Sequence, residues 1–306
     1  MSRAVVFEEY GGPDVLKIVD VEPPKPGPGQ VRVRVKAAGV QPFDVKQRRG
    51  DTASWAPATF PQGGGSEFAG VVDELGEGVR EFAVGDSVLG PTSGTAHAEH
   101  ALAKATNLVP KPGGMPWEEA GALSASGQTA HTALQALSVG AGETVLIHAA
   151  TGGVGSVAVQ LARAWGATVV GTASERNHDY LRELGATPVT YGDGLVSRVR
   201  DAAPGGVDVV LDAAGTEEAI QASTELLPER ERIGTIAGQE YAERYGIRVL
   251  GTERSAERLV QLVELYETGA LRVRIDAVFS LDEVADAHRA VEAGHVRGKV
   301  VLTGTA

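Results

Sequence analysis

The sequence predicts an α/β protein in two parts: a doubly wound parallel sheet, and a smaller, turn-rich β-domain of the barrel type. Three observations carry this. From about residue 117 onward, apolar runs of strand length alternate with segments of helical periodicity, as a sheet covered on both faces requires. Before that point glycine and proline interrupt the chain at short intervals, which suits short antiparallel strands. At 306 residues the chain is long enough for two cores.

The elements follow in order. Val31, Val33 and Val35 alternate with Arg32, Arg34 and Lys36, the period of a half-buried strand. Pro23, Pro24, Pro26 and Pro28 ahead of it exclude helix or central strand, so 23–29 is an extended connection. Turns at Gly63 to Gly65, at Gly76 and at Gly85-Asp86 bound short strands over 68–75 and 87–90. A helix is expected over 118–136. The run 144–148 is continuously apolar, as in a strand buried on both faces, and Val154, Val157, Ala158, Leu161, Ala162 and Trp165 then follow at helical spacing. Strand 168–170, helix 177–184 closed by Gly185, strands 188–191 and 207–212, helix 217–226 and strands 232–236 and 247–250 complete the alternation. Leu259, Leu262, Val263 and Tyr266 mark a further helix. Ser280 with Glu283 forms a capping box that opens another, with Val284, Ala287, His288 and Val291 on its buried face. The last strand, 298–302, has no later partner and is assigned to the N-terminal β-domain. That domain is thus expected to comprise 1–118 and 258–306, around a second domain at 119–257.

Composition narrows the function. Apolar content of 42% with 22% charged residues argues for a packed globular chain, and a formal net charge of −12 argues against a nucleic-acid partner. No apolar run is long enough to span a membrane, and the N-terminus turns acidic before a signal region could form, so a cytoplasmic protein without a membrane partner is expected. The chain has no cysteine, hence no disulfide, no thiolate nucleophile and no cysteine-ligated zinc. His97 and His100 form the only close histidine pair, in a segment read as a turn entering a strand, and no metal is expected.

The strongest motif lies in 145–158. From Gly153, the stretch Gly-Val-Gly-Ser-Val-Ala matches the dinucleotide fingerprint, and it sits between a buried strand and an amphipathic helix. In this reading Gly153 permits the tight turn, Gly155 lets a pyrophosphate approach, and Ala158 lets the helix pack on the strand. Thr151, Gly152, Gly153, Val154 and Gly155 thus offer unpaired amides and a positive dipole end to a phosphate. Twenty residues on, where an NAD site carries an acid, stands Ala173, with Ser174 and Arg176 close by. A hydroxyl and a guanidinium suit a 2′-phosphate, which selects NADP(H), although Glu175 would repel it if turned inward.

These motifs, with Ala37 to Asp44, Gly65 to Val72, Val84 to Val88, Gly127 to Ala130 and Gly298 to Leu302, resemble the medium-chain dehydrogenase/reductase superfamily. Within it they resemble the zinc-free quinone oxidoreductase (zeta-crystallin-like) branch, over nearly the whole chain. The resemblance implies a Rossmann domain beside a GroES-like domain. It implies transfer of hydride from NADPH to a quinone or an α,β-unsaturated carbonyl, with polar groups stabilising the oxyanion. Where zinc-bearing relatives have cysteine and histidine, this chain has Gln41 and Asp44, and Ser66 before Glu67. By position Gln41, Asp44 and Lys46 are the catalytic candidates and Thr129 lies at the domain junction. Gln41 stands where relatives commonly carry Asn, and Lys46 where they often have Tyr. Further cofactor contacts carried over are Tyr191, Ala214, Gly215, Ile236, Ala237, Gly238 and Lys299. His148 is read as a satisfied core histidine. The departures at Gln41 and Lys46 leave an alternative: a cofactor-binding regulator or sensor with little turnover. Strand 247–250, as an exposed sheet edge, points to a homodimer.

Overall fold

A computed structural model describes residues 1–304 and divides the chain into two compact units. The first comprises Met1–Ala125, Arg254–Val263 and the chain from Val273 onward; the second comprises Ser126–Glu253 and Glu264–Arg272.

In the first unit Val31, Val33 and Val35 point into a core with Phe68, Val72 and Val88, as their alternation requires. Strand Gln30–Val40 is the spine of a seven-stranded sheet, flanked by Lys299–Thr303 on one side and Glu67–Leu75 on the other. The strand Lys299–Thr303 pairs antiparallel with it, Val300 opposite Val40, so the late part of the chain completes the sheet that residues 30–40 begin. A smaller sheet orders Lys17–Val21, Ser2–Phe7 and Gln62–Gly63. Helix Pro42–Arg49 was not legible as an element. Its proline start, capping box between Gln41 and Asp44, and left-handed Gly50 stop are ordinary signals, but its buried residues Asp44, Val45 and Arg48 make no apolar stripe.

The second unit holds six parallel strands in the order Thr187–Val189, Thr168–Thr172, Thr144–His148, Val209–Asp212, Ile233–Thr235 and Arg248–Val249. Chain order reverses at Thr144–His148, which makes a switch point beside the carboxyl ends of that strand and Val209–Asp212. Leu146, Val170, Val210 and Ile233 fill the core beneath helices such as Glu217–Leu226.

Two expectations are corrected. The helix over 118–136 is two helices, Trp117–Gly121 and Ser124–Ala136. A Cβ on Gly121 would fall 2.5 Å from the Ala37 carbonyl, so the first of them lies on the spine strand and the first unit runs past residue 118. Helices Leu195–Ala202 and Gln239–Tyr245 were missed, each being too short to show a clear period. Among the described residues no helix is long and apolar enough to cross a membrane.

Candidate functional site

Strand Thr144–His148 delivers the chain to Ala149, whose φ of +51° is left-handed and rare for a residue bearing a Cβ. Gly152 then caps helix Gly153–Ala164 in extended geometry. A Cβ on Gly155 would lie 2.3 Å from the Ala149 carbonyl oxygen and 2.8 Å from Ala150 Cα. Gly155 therefore lets the helix begin directly over the turn. Thr151 is buried and Gly152, Gly153 and Val154 are half-buried. The first-turn amides of this 12-residue helix have no intrahelical acceptor, and no acidic residue stands among them. They make an anion-binding end that fits the pyrophosphate of a dinucleotide.

The neighbouring strand Thr168–Thr172 leads to Ser174, which caps a short 3-10 turn and accepts a hydrogen bond from Asn177 Nδ2 at 3.2 Å. Glu175 and Arg176 are both exposed. Tyr191, just past strand Thr187–Val189, is 55% exposed, so it is no core aromatic. Beyond the switch point, Ala214 is exposed and Gly215 adopts φ +68°, while Ile236 and Ala237 are half-buried and Gly238 is buried. Thr129 is half-buried, its Oγ1 3.0 Å from Thr252 Oγ1. The fingerprint turn, Ser174, Arg176, Tyr191 and the turns at 214–215 and 236–238 all follow the carboxyl ends of strands of one sheet.

The first unit gathers a different set. Glu67 is fully buried. Its Oε1 accepts from Gln41 Nε2 and from Lys299 Nζ at 2.8 Å, and its Oε2 accepts the Ala125 amide at 2.6 Å. Asp44 accepts the Gln41 amide at 2.7 Å and the Gly65 amide at 3.3 Å, joining the start of helix Pro42–Arg49 to the glycine turn. Burial pushes the Asp44 carboxyl above its usual range, against the opposing pull of His97, these two amides and Lys299. Asp44 thus braces the backbone. Lys46 is exposed on another face of the helix and is not brought to this cluster.

Lys299 is a correction. Expected to reach a cofactor phosphate, it is instead buried, and its ammonium is paired with Glu67 in the first unit. Glu67 itself carried no assigned role. The signal was present, since a glutamate opening the apolar strand Glu67–Leu75 must be compensated. The donor set does not fit a zinc ion: both Glu67 oxygens are occupied, and Gln41 and Ser66 supply neither thiolate nor imidazole. Among the described residues no group of three or more His, Cys, Asp or Glu could hold a metal.

Comparison with known proteins agrees with this division of labour. Residues 27–135 match the alcohol dehydrogenase GroES-like domain, and residues 184–302 match a family described as zinc-binding dehydrogenase. A quinone oxidoreductase of Pseudomonas aeruginosa is 33% identical, covering 99% of this chain and 99% of its own. A mycobacterial protein solved in complex with NADPH superposes with a TM-score of 0.88 at 28% identity, covering 99% of this chain and 100% of that one. An NAD-dependent alcohol dehydrogenase superposes with the same score at 31% identity, covering 98% and 99%. A parallel sheet with a nucleotide turn, an antiparallel unit built on Gln30–Val40, and full-length similarity to oxidoreductases give one conclusion: the chain is an oxidoreductase of the medium-chain dehydrogenase/reductase superfamily, in its quinone oxidoreductase-like part.

Proposed function

We propose that the chain is an NADPH-dependent, zinc-independent reductase that passes hydride to a quinone or to the β-carbon of an α,β-unsaturated carbonyl. The observation that carries this reading is the Gly155 turn, with Ser174 and Arg176 following the next strand of the same sheet. The amides of Gly153, Val154 and Gly155 hold the pyrophosphate. Ser174 and the exposed Arg176 take the 2′-phosphate, where an NAD site would carry an acid. Thr129, Tyr191 and the turns at Ala214-Gly215 and Ile236 to Gly238 contact the rest of the cofactor. When bound, NADPH supplies the hydride.

On the acceptor side, an enone or quinone oxygen gains negative charge as hydride arrives and needs a donor already in place. One N–H of the Gln41 amide is committed to Glu67, and an amide has two; the second donates to that oxygen. Glu67 and Lys299 hold the Gln41 side chain, and Asp44 holds its backbone. Lys46, a catalytic candidate by position, is exposed and takes no step in this reading. The edge strand Arg248–Val249, with Val249 exposed, is the surface we propose for pairing with a second copy; light scattering that reports a monomer at micromolar concentration rejects the dimer.

The test is a tryptophan-fluorescence titration with NADPH and with NADH. Saturable binding that is tighter for NADPH, and an Arg176→Ala variant that narrows the difference, are expected. A chain that binds no NADPH overturns the reading; equal affinity for both cofactors overturns the 2′-phosphate assignment. No observation favours the alternative of a regulator with little turnover.

A further inference from the structure

Asp212 is fully buried at the carboxyl end of strand Val209–Asp212, opposite His148 in register and so beside the switch point. Its Oδ1 accepts the backbone N–H groups of Ala214 at 2.9 Å and Gly215 at 3.1 Å. Its Oδ2 accepts the hydroxyl of Thr235 at 2.6 Å. Thr235, also fully buried, ends the neighbouring strand, and its Oγ1 accepts the N–H groups of Ala237 at 3.1 Å and Gly238 at 2.8 Å. One carboxyl group thus fixes the turn after its own strand directly, and the turn after the next strand through a single hydroxyl.

The two turns also pack closely. A Cβ on Gly215 would stand 2.7 Å from the Ala237 carbonyl oxygen. One on Gly238 would stand 2.8 Å from Ile220 Cδ1 and 3.3 Å from Asp212 Oδ2. There is no room for a side chain where the two turns meet. Burying a carboxylate is costly, and this one is compensated by the amides of its own turn and by the hydroxyl of Thr235. It holds two pieces of irregular backbone in a fixed shape at the edge of the switch-point crevice, where open α/β sheets bind their ligands.

We propose that Asp212 and Thr235 are positioning residues for the nicotinamide half of the cofactor: they set the backbone of 214–215 and 236–238 before the cofactor arrives. The inference rests on the cofactor reading given under Proposed function. Turns held in their bound shape have no ordering cost at binding, so the pair acts on affinity for the nicotinamide end alone. The adenosine half rests on other turns, at 151–155 and 174–176.

The test compares dissociation constants for NADPH and for 2′,5′-ADP, which carries only the phosphorylated adenosine end. Wild type, Thr235→Val, Thr235→Ser and Asp212→Asn are measured. Thr235→Val and Asp212→Asn should weaken NADPH about tenfold, the scale of one lost hydrogen bond, and leave 2′,5′-ADP unchanged. Thr235→Ser keeps the hydroxyl and should bind NADPH as wild type does. Should Asp212→Asn fail to fold, the near-isosteric Thr235→Val decides alone. Unchanged NADPH affinity in Thr235→Val overturns the proposal, as does an equal loss for both ligands, which a merely structural role would give. Wild type that binds 2′,5′-ADP and NADPH normally while the variants do the same refutes this inference and spares the cofactor reading. Wild type that binds neither refutes both.

Discussion

Glu67 in the first unit and Asp212 in the second are both fully buried beside a candidate site, and they are compensated differently. In the first unit Glu67 meets a buried ammonium, Lys299, so charge answers charge. In the second, Asp212 meets a hydroxyl and two backbone amides. The histidines differ in the same sense. His148 has a partner on each ring nitrogen, Thr172 Oγ1 at 3.3 Å and Ser223 Oγ at 3.0 Å, whereas both nitrogens of His288 lack a hydrogen-bond partner among the described residues. An ion pair fixes where a side chain sits. A carboxylate wired to backbone amides fixes the shape of a turn. Glu67 therefore fixes a side chain, Gln41, and Asp212 fixes two turns, much as Asp44 fixes the Gln41 and Gly65 backbone in the first unit.

This comparison can be broken at several points. Lys299→Met leaves the Glu67 charge buried and unpaired, and should cost about 3–5 kcal/mol in denaturant unfolding. Adding Glu67→Gln to it should recover much of that loss; a single variant as stable as wild type would show that the pair carries no weight. Acid should act next. Burial drives the His148 pKa from 6.5 down to about 4, against the pull of Asp212, so the folded state resists a proton that the unfolded chain accepts. The stability from this group is complete above about pH 6.5 and lost as pH falls toward 4, on the order of 3 kcal/mol in all. His288, lowered to about 3 by burial, His97 and Arg48, adds to the same limb in the first unit. Asp44, raised by burial, works in the opposite sense above its ordinary carboxylate range. Unfolding curves of His148→Gln between pH 7 and 4 should be flatter than those of wild type; an unchanged slope contradicts the assignment.

Smaller effects sharpen the contrast. Gln41→Ala should lower kcat about a hundredfold, the scale of one lost oxyanion donor, with NADPH affinity unchanged. A loss confined to cofactor affinity would move Gln41 out of the acceptor's reach. Thr216 caps helix Glu217–Leu226 by accepting the Ala219 amide at 3.3 Å, and Thr216→Ala should cost about 1 kcal/mol of stability. A larger fall in NADPH affinity than in stability would tie that cap to the turn at 214–215.

The parts of this structure that repeat were legible in the sequence. The alternation from Thr144 onward gave the parallel sheet, and the isolated strand at 298–302 indicated the return to the first unit. The short helices Leu195–Ala202 and Gln239–Tyr245 span barely two turns, too few for a period to stand out. Within the site, glycine spacing located the turn but not the internal constraint on Gly155, because which atom a Cβ would strike depends on Ala149 folding back over it. Lys299 was misread for a similar reason. A lysine with no acid beside it in sequence reads as a cation able to reach a phosphate, and its partner Glu67 lies 232 residues away. Asp212 and Thr235 are 23 residues apart and meet only because their strands are neighbours in register. Long-range pairings of single polar residues leave no local pattern.

The reductase reading is tested most directly by following nicotinamide absorbance when the NADPH-loaded chain is mixed with a panel of quinones and enones. The account predicts oxidation of NADPH in step with reduction of at least one acceptor, slowed by Gln41→Ala and insensitive to zinc chelators. Tight NADPH binding with no consumption across the panel would contradict it.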